Sequence, residues 1–357
     1  MSASDAILSH RYFMSSDYSG GAGAVELPPP PWQRSIHAEL RYPYDVLEQA
    51  LPLVRARGLH FYFTKEAYFL PEYGPHVVSM LLQEERCKVP VYGRYIRATI
   101  RNLMPRPFLG WRLHPRIGRS EAVLTFEYTR DWYTHLKSVW ARAHPPRHWP
   151  SPIRKEPLDL RIPLGYHSQE DIPYVPIKDR TLDMFFAGQV RHPVPRNDYR
   201  YWTSTSKFQV REQLWRELSA LQKTGEWNID LGAIASTDSK RNEQAFNTYT
   251  EKMMNTRICL APRGTLPDTF RHFEGMRAGC LVVSNPVPVE PYLYGAPMLL
   301  IDHWSEIHGI LKKHGRDNDF IQEMGDRGRA WWNNRLTPQI IGRSIADQLN
   351  ADSLDAR

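Results

Sequence analysis

The chain has 357 residues, 41% of them hydrophobic and 12% aromatic, which is too long for one ordinary core and apolar enough for two. Forty-six Lys and Arg against 39 Asp and Glu leave a formal charge of +7, so anionic partners are favoured over cationic ones. No apolar run approaches the length of a bilayer span, and the N-terminus lacks a signal-peptide core, which argues against an integral membrane or secreted protein.

Residues 1 to about 35 read as a flexible leader rich in Pro, Gly and Ser that ends in a polyproline stretch, with Trp32 able to drape it on the surface. A first domain is expected over residues 36–178. It opens with a helix-like run from Val46 to Arg57, stopped by Gly58, and continues with apolar runs at Leu59–Thr64 and His76–Leu82 suited to buried strands. His60, inside the first of these strands, reads as a satisfied core histidine. Glu84 and Glu85 follow the second strand directly, where a parallel sheet places its ligands. They are the candidate general base, against the plainer reading of two solvated loop residues. Glu127 and Asp131 are weaker candidates, because the stretch around them reads as a surface helix.

From Arg86 to Arg119 there is no acidic residue, and basic residues alternate with aromatic and aliphatic ones. Arg94, Arg97 and Arg101 fall on one face of a helix drawn through this segment, with Ile96, Ile100, Leu103 and Met104 on the other. Such an amphipathic segment suits an anionic membrane surface or a lipid-linked or polyanionic acceptor. A plain solvated helix face is the alternative, and nucleic acid is not expected because no nucleic-acid motif accompanies the basic residues.

Strand character returns at Leu158–Leu164, and the Pro-rich polar run from Pro173 to Arg180 reads as a linker. A second domain is expected over residues 179–335. Asp183–Gly188 is a strand ending on a glycine that would let a ligand approach closely, with Arg191 and His192 next in the loop. Lys207–Leu221 is a helix carrying Arg211 near its start; Asn228–Gly232 is a strand and Phe246–Met254 a helix. Then comes the stretch that organises the chain. Ile258–Ala261 is a buried strand, Pro262-Arg263-Gly264 breaks it, and Asp268 or Thr269 caps a helix running to about Ala278. Gly279 stops that helix and Leu281–Ser284 is the next strand, which makes a parallel βαβ unit. Met298–Ile301 adds a strand. Helices near Phe320–Trp331 and Pro338–Leu349 follow, the last lying in a C-terminal segment over residues 336–357 that is expected to cross back to the first domain.

The βαβ unit offers phosphate chemistry. A helix N-terminus presents unpaired amide N–H groups and partial positive charge, and Arg263 and Arg271, partly exposed, add planar donors for phosphate oxygens. Glu274, three residues after Arg271, shares its face and can accept from ribose hydroxyls. A surface Arg–Glu pair on an ordinary helix is the plainer alternative. All three cysteines, Cys87, Cys259 and Cys280, read as buried thiols in a reducing compartment. No metal site is expected: an Asp-x-Asp pair after a strand is missing, and His303 and His308 lack carboxylate or cysteine company.

Cys259, Leu260, Pro262, Arg263, Gly264, Phe270, Arg271, Glu274, Ala278, Cys280, Ser284 and Asn285 form a pattern that resembles the nucleotide-sugar half of the exostosin-type glycosyltransferases, glycosyltransferase family 47. The likeness continues weakly through Leu182–Gly188, Tyr249 and Met254 and covers about half the chain. It implies an α/β, GT-B architecture of two Rossmann-like domains with parallel sheets across a cleft, and an inverting, metal-independent transferase. The donor would be a nucleotide sugar held by Arg263, Gly264, Thr269, Arg271, Glu274, Gly188 and Arg211, with no cofactor. The acceptor would be a glycan or lipid-linked glycan of bacterial polysaccharide biosynthesis. The acidic and histidine signatures expected in the family's N-terminal half are not clear here, which leaves the base open. Membrane-anchored members differ from this chain, which is expected to be cytoplasmic with peripheral contact to the inner face of the membrane. The alternatives are another GT-B transferase, such as a fucosyltransferase-like one, and a catalytically inactive glycan-binding or assembly subunit.

Overall fold

The computed structural model describes the backbone of residues 9–15, 23–32, 40–110, 119–167, 173–190, 194–195, 197–203, 205–233 and 243–352. It divides into two compact units, one of Met1–Pro107, Asp131–Leu164 and Leu336–Arg357, the other of Phe108–Arg130 and Gly165–Arg335. In chain order the elements are β1 (Arg11–Met14), β2 (Val25–Leu27), α1 (Arg41–Ala50), β3 (His60–Thr64), β4 (Gly74–Leu81), β5 (Ile96–Arg101), α2 (Arg119–Ala143) and β6 (Asp159–Arg161). They continue with β7 (Leu182–Gly188), α3 (Tyr199–Thr203), α4 (Lys207–Thr224), β8 (Ile229–Ala233), α5 (Glu243–Met254), β9 (Thr256–Ala261), α6 (Phe270–Ala278), β10 (Leu281–Ser284) and β11 (Met298–Leu300). Helices α7 (Ile307–His314), α8 (Asn318–Arg335) and α9 (Pro338–Asn350) end the described chain.

Both units are α/β with an open, parallel sheet, as the apolar runs predict. The first sheet has the order β2-β1-β3-β4-β5-β6 and only β2 runs antiparallel. The second, β11-β10-β9-β7-β8, is parallel throughout. Parallel strands are covered on both faces, which is why β9 and β10 are buried at every residue. Phe186, Leu214, Leu218, Ile258, Val283 and Trp304 lie at the centre of the second unit's core. In the first unit Tyr62, Val77, Tyr92 and Ile96 pack together.

Several expectations need correction. The leader supplies β1 and β2 to the first sheet; Tyr12 and Trp32 are buried, their ring centroids 5.1 Å apart edge to face. Its polar composition masked a four-residue strand, Arg-Tyr-Phe-Met. Residues 1–8, 16–22 and 33–35 of that leader lie outside the described residues. The run from Pro173 to Arg180 is not a linker. Ile177 is part of the second core, and buried Arg180 donates to the carbonyls of Val175, Thr256 and Ala278, the last at the end of α6. The first helix begins five residues earlier than Val46, and Pro52 turns its end into a 3-10 turn, Leu51–Leu53. Residues 108–130 and 165–178 group with the second unit, so the boundary at 178 is not a simple cut, while Leu336–Arg357 groups with the first unit after a division at 335. Helix α9 lies on α1, where the Tyr42 hydroxyl donates to Leu336 O at 2.5 Å.

The largest correction concerns the basic segment. It is not an amphipathic helix: Arg94 ends a 3-10 turn and Ile96–Arg101 is strand β5, buried at all six residues between β4 and β6. Arg97 donates to Leu349 O at 3.2 Å, in the last turn of α9. Arg101 donates to the carbonyls of Lys88 and Met104. A surface that docks on membrane through Arg97 and Arg101 is therefore ruled out. Trp111, Arg112 and Arg116 lie outside the described residues, as do Arg191 and His192. Among the described residues no helix is long and apolar enough to cross a membrane.

At the amino ends of β3 and β4, Glu72 accepts from His60 Nδ1 at 2.8 Å, from His76 Nε2 at 2.7 Å and from the Tyr62 hydroxyl at 2.8 Å. Burial alone would push its carboxyl up, but these three donors outweigh it and hold it at about 2. His60 is thus satisfied, but at the first residue of β3 it is half-buried and lies outside the core.

Candidate functional site

The organising stretch folds as its sequence predicts. Strand β9 ends at Ala261, the chain turns through Pro262–Asp268, and Thr269 caps α6 by accepting from the Arg271 amide at 3.4 Å. Gly279 ends α6 in the left-handed conformation, φ +69°. Strand β10 then pairs parallel with β9, Leu281 opposite Ile258.

A polar network behind the loop fixes its shape. His272 stands where a capping box usually has Glu or Gln, and its Nδ1 accepts from the Thr269 amide at 3.1 Å. Burial, with the Arg271 charge beside it, lowers the His272 pKa to about 3. The ring is therefore neutral, and its tautomer follows: Nε2 carries the proton and donates to Ser284 Oγ at 2.6 Å. Next along, Asn285 Oδ1 accepts from the Arg263 amide at 3.3 Å and from Trp304 Nε1 at 3.1 Å. The Ser-Asn pair of the motif thus braces the loop from beneath. Sequence reasoning gave His272 no role; its position three residues after a Thr cap was the available signal.

Three of the residues expected at the site converge at the carboxyl end of β7. A methyl group built on Gly188 would lie 2.8 Å from Arg271 Nη2 and 3.6 Å from Arg211 Nη1. The Arg271 guanidinium thus occupies the space that a side chain at position 188 would need, and the Arg211 guanidinium lies at ordinary contact distance beside it. Arg271 donates to Ala187 O and lies over the Phe186 ring, 5.0 Å from its centroid. Arg211, buried on α4, donates to Gln189 O at 3.4 Å, and Lys207 Nζ reaches Gln189 Oε1 at 3.3 Å. Three cations therefore cluster beside the first turn of α6. Like charges held this close in a partly dry setting repel, and a bound polyanion would relieve that repulsion.

The other expected residues stand apart from this cluster or serve it indirectly. Arg263 is buried, not partly exposed, and its Nη2 lies 3.5 Å from Glu127 Oε2. Glu127 is likewise not on a surface helix: 1% exposed, it also accepts from the Ser206 amide at 3.0 Å and hydroxyl at 2.5 Å. Asp131 is also buried, with Arg86 Nη1 at 3.5 Å. Glu274 Oε1 accepts from the amide and Nδ1 of His167, each at 3.2 Å. Burial would push its carboxyl up, but His167 and the nearby Arg271 hold it below the usual carboxylate range. Gly264 is not demanded by space, since an added methyl group would meet only ordinary contacts.

No family model matches the chain, and no curated protein matches it. Among solved structures the chain is similar to the crystal structure of a GtfA/B complex, with 11% identity and a TM-score of 0.38 over 77% of this chain. The match spans 58% of that other chain's length.

In the first unit, Glu84 has a different task from the one expected. Its carboxylate is 4% exposed and accepts from the amides of Arg86 at 3.1 Å and Lys88 at 2.7 Å. Burial is the main influence and raises its pKa despite those bonds and the charges of Arg101 and Lys88. It clamps a loop in which Gln83 and Cys87 both adopt positive φ, +58° and +53°. Glu85 is exposed on that loop. All three cysteines are buried free thiols.

Proposed function

We propose that the second unit binds a nucleoside-diphosphate sugar and that the protein is an exostosin-like, inverting glycosyltransferase of GT-B type. The acceptor in this reading is a glycan or a lipid-linked glycan. The observation that carries it is the convergence of Arg211 and Arg271 on Gly188, beside the N-terminus of α6 and at the carboxyl end of a parallel strand. The diphosphate sits against these guanidinium groups. As the bond from the sugar's anomeric carbon to the β-phosphate lengthens, negative charge grows on the leaving diphosphate, and the fixed cations stabilise it there. The acceptor hydroxyl attacks from the opposite face while a base takes its proton. With both Glu84 oxygens engaged by amides, Glu85 is the carboxylate of that pair assigned to the task. Glu274 orients the ribose in the same reading.

Arginines and a helix terminus take the place of a metal in this chemistry, so transfer proceeds without one. The test is a panel of nucleotide sugars assayed for donor hydrolysis and transfer, with thermal shifts against UDP, GDP and CMP to choose the nucleotide. A nucleotide that raises the melting temperature, and turnover of the matching sugar, is expected. Binding without turnover of any donor contradicts the enzyme reading.

A further inference from the structure

We propose that His60, Glu72 and His76 form a binding site for one divalent transition-metal ion of the zinc class, carried by the first unit alone. Nδ1 or Nε2 of the two histidines and a Glu72 oxygen all lie within 4.8 Å of one another. Two imidazole nitrogens and a carboxylate oxygen are a borderline donor set, suited to Zn²⁺, Co²⁺ or Ni²⁺ and poorly suited to Mg²⁺ or Ca²⁺. A fourth position is open to water, because the three side chains are 17%, 34% and 39% exposed in chain order.

The surroundings show a built site rather than a chance meeting of surface groups. The ligands come from three places: the first residue of β3, the loop before β4, and β4 itself. Gly74 has φ +145°, and a methyl group there would strike the His76 ring at 2.7 Å, so the backbone yields its side-chain space to that imidazole. The Tyr62 hydroxyl holds Glu72 Oε2, the outer-shell contact that orients a ligating carboxylate. The two imidazole rings meet edge to face with centroids 4.9 Å apart, and Phe13 packs against His60.

Binding needs a rearrangement of protons and a small spreading of the donor atoms, which stand 2.7 and 2.8 Å apart and would sit about 3.3 Å apart around a tetrahedral ion. Each imidazole now directs an N–H at Glu72; when the ion takes His60 Nδ1 and His76 Nε2, the ring proton moves to the other nitrogen. The site lies toward the amino ends of β3 and β4, whereas parallel sheets bind their substrates beyond the carboxyl ends. The ion's role is therefore to fasten the loop before β4 to two strands, and it takes no part in sugar transfer.

The test uses the full-length chain, stripped with chelator and titrated with Zn²⁺ by calorimetry and with Co²⁺ by visible absorption. One equivalent of each is expected, with Co²⁺ giving the absorption bands of a low-coordinate nitrogen and oxygen site and Zn²⁺ raising the melting temperature. His76→Ala should weaken binding at least tenfold. Glu72→Gln, which keeps the shape of the side chain, should do the same if the alanine variant fails to fold. Failure of wild-type protein to bind Zn²⁺ would overturn the site, and so would unchanged binding in a His60→Ala/His76→Ala double variant.

Discussion

Arg97 and Arg101 in β5 and Arg211 and Arg271 around the end of β7 are the same residue type, the first three buried and Arg271 half-buried, yet they do different things. Arg97 and Arg101 lie four residues apart on one strand, and each ends on main-chain carbonyls of other segments. They hold structure together. Arg211 and Arg271 come from two different helices and meet at one residue that has no side chain. Burial of an arginine therefore says little about function; convergence of two on a common space says much more.

That contrast is open to direct attack, and the largest effect should come from the structural pair. Arg101→Ala takes a donor from the Lys88 and Met104 carbonyls and removes the cation 4.0 Å from the buried Glu84 carboxylate, and should lower stability by about 3–5 kcal/mol in urea denaturation. Nucleotide affinity of the folded fraction should not change. Arg271→Ala should do the reverse, weakening nucleotide binding by about 1.5–3 kcal/mol, roughly ten- to a hundredfold, with stability shifted by less than about 1 kcal/mol. Gly188→Ala should weaken binding in the same direction, because its methyl group displaces the Arg271 guanidinium.

A third prediction separates the loop's bracing from its charges. His272, with a folded pKa near 3 against an ordinary 6.5, binds a proton more readily in the unfolded chain. Stability is therefore fully present above pH 6.5 and falls as pH drops toward 3, by at most about 1.4 kcal/mol per pH unit for this group. His10, lowered to about 4 by burial and by Arg57, acts in the same direction. Melting curves between pH 7 and about 5, where ordinary solvated carboxylates stay ionised, should show the slope, and the part due to this group is the part that His272→Gln removes. The smallest expected effect is that of excess chelator on turnover, which should be nil; strict dependence on Mg²⁺ or Mn²⁺ would mean that the guanidinium cluster does not do the work assigned to it.

The β9–α6 stretch was legible because every boundary carries its own chemical mark: Pro262, the Thr269 cap and Gly279. The basic segment was not. Ile96 and Ile100, and Arg97 and Arg101, are four apart, a spacing that fits a helix face and a strand face equally well. The β-branched residues Ile96, Thr99 and Ile100 were the discriminating signal. Glu127 was misplaced because its partners, Ser206 and Arg263, lie 79 and 136 residues away in sequence, and no local pattern foretells them. The His60, Glu72 and His76 cluster was missed for a related reason. Its i to i+4 pair runs from the loop after Pro71 into the first residues of β4, where helical spacing has no meaning.

The most direct test of the central claim is calorimetric titration of the wild-type chain, Arg271→Ala and Arg97→Ala with the nucleoside diphosphate that stabilises the protein best. Wild type and folded Arg97→Ala should bind alike, and Arg271→Ala at least about tenfold more weakly. Equal affinity in wild type and Arg271→Ala would contradict a diphosphate site at Gly188.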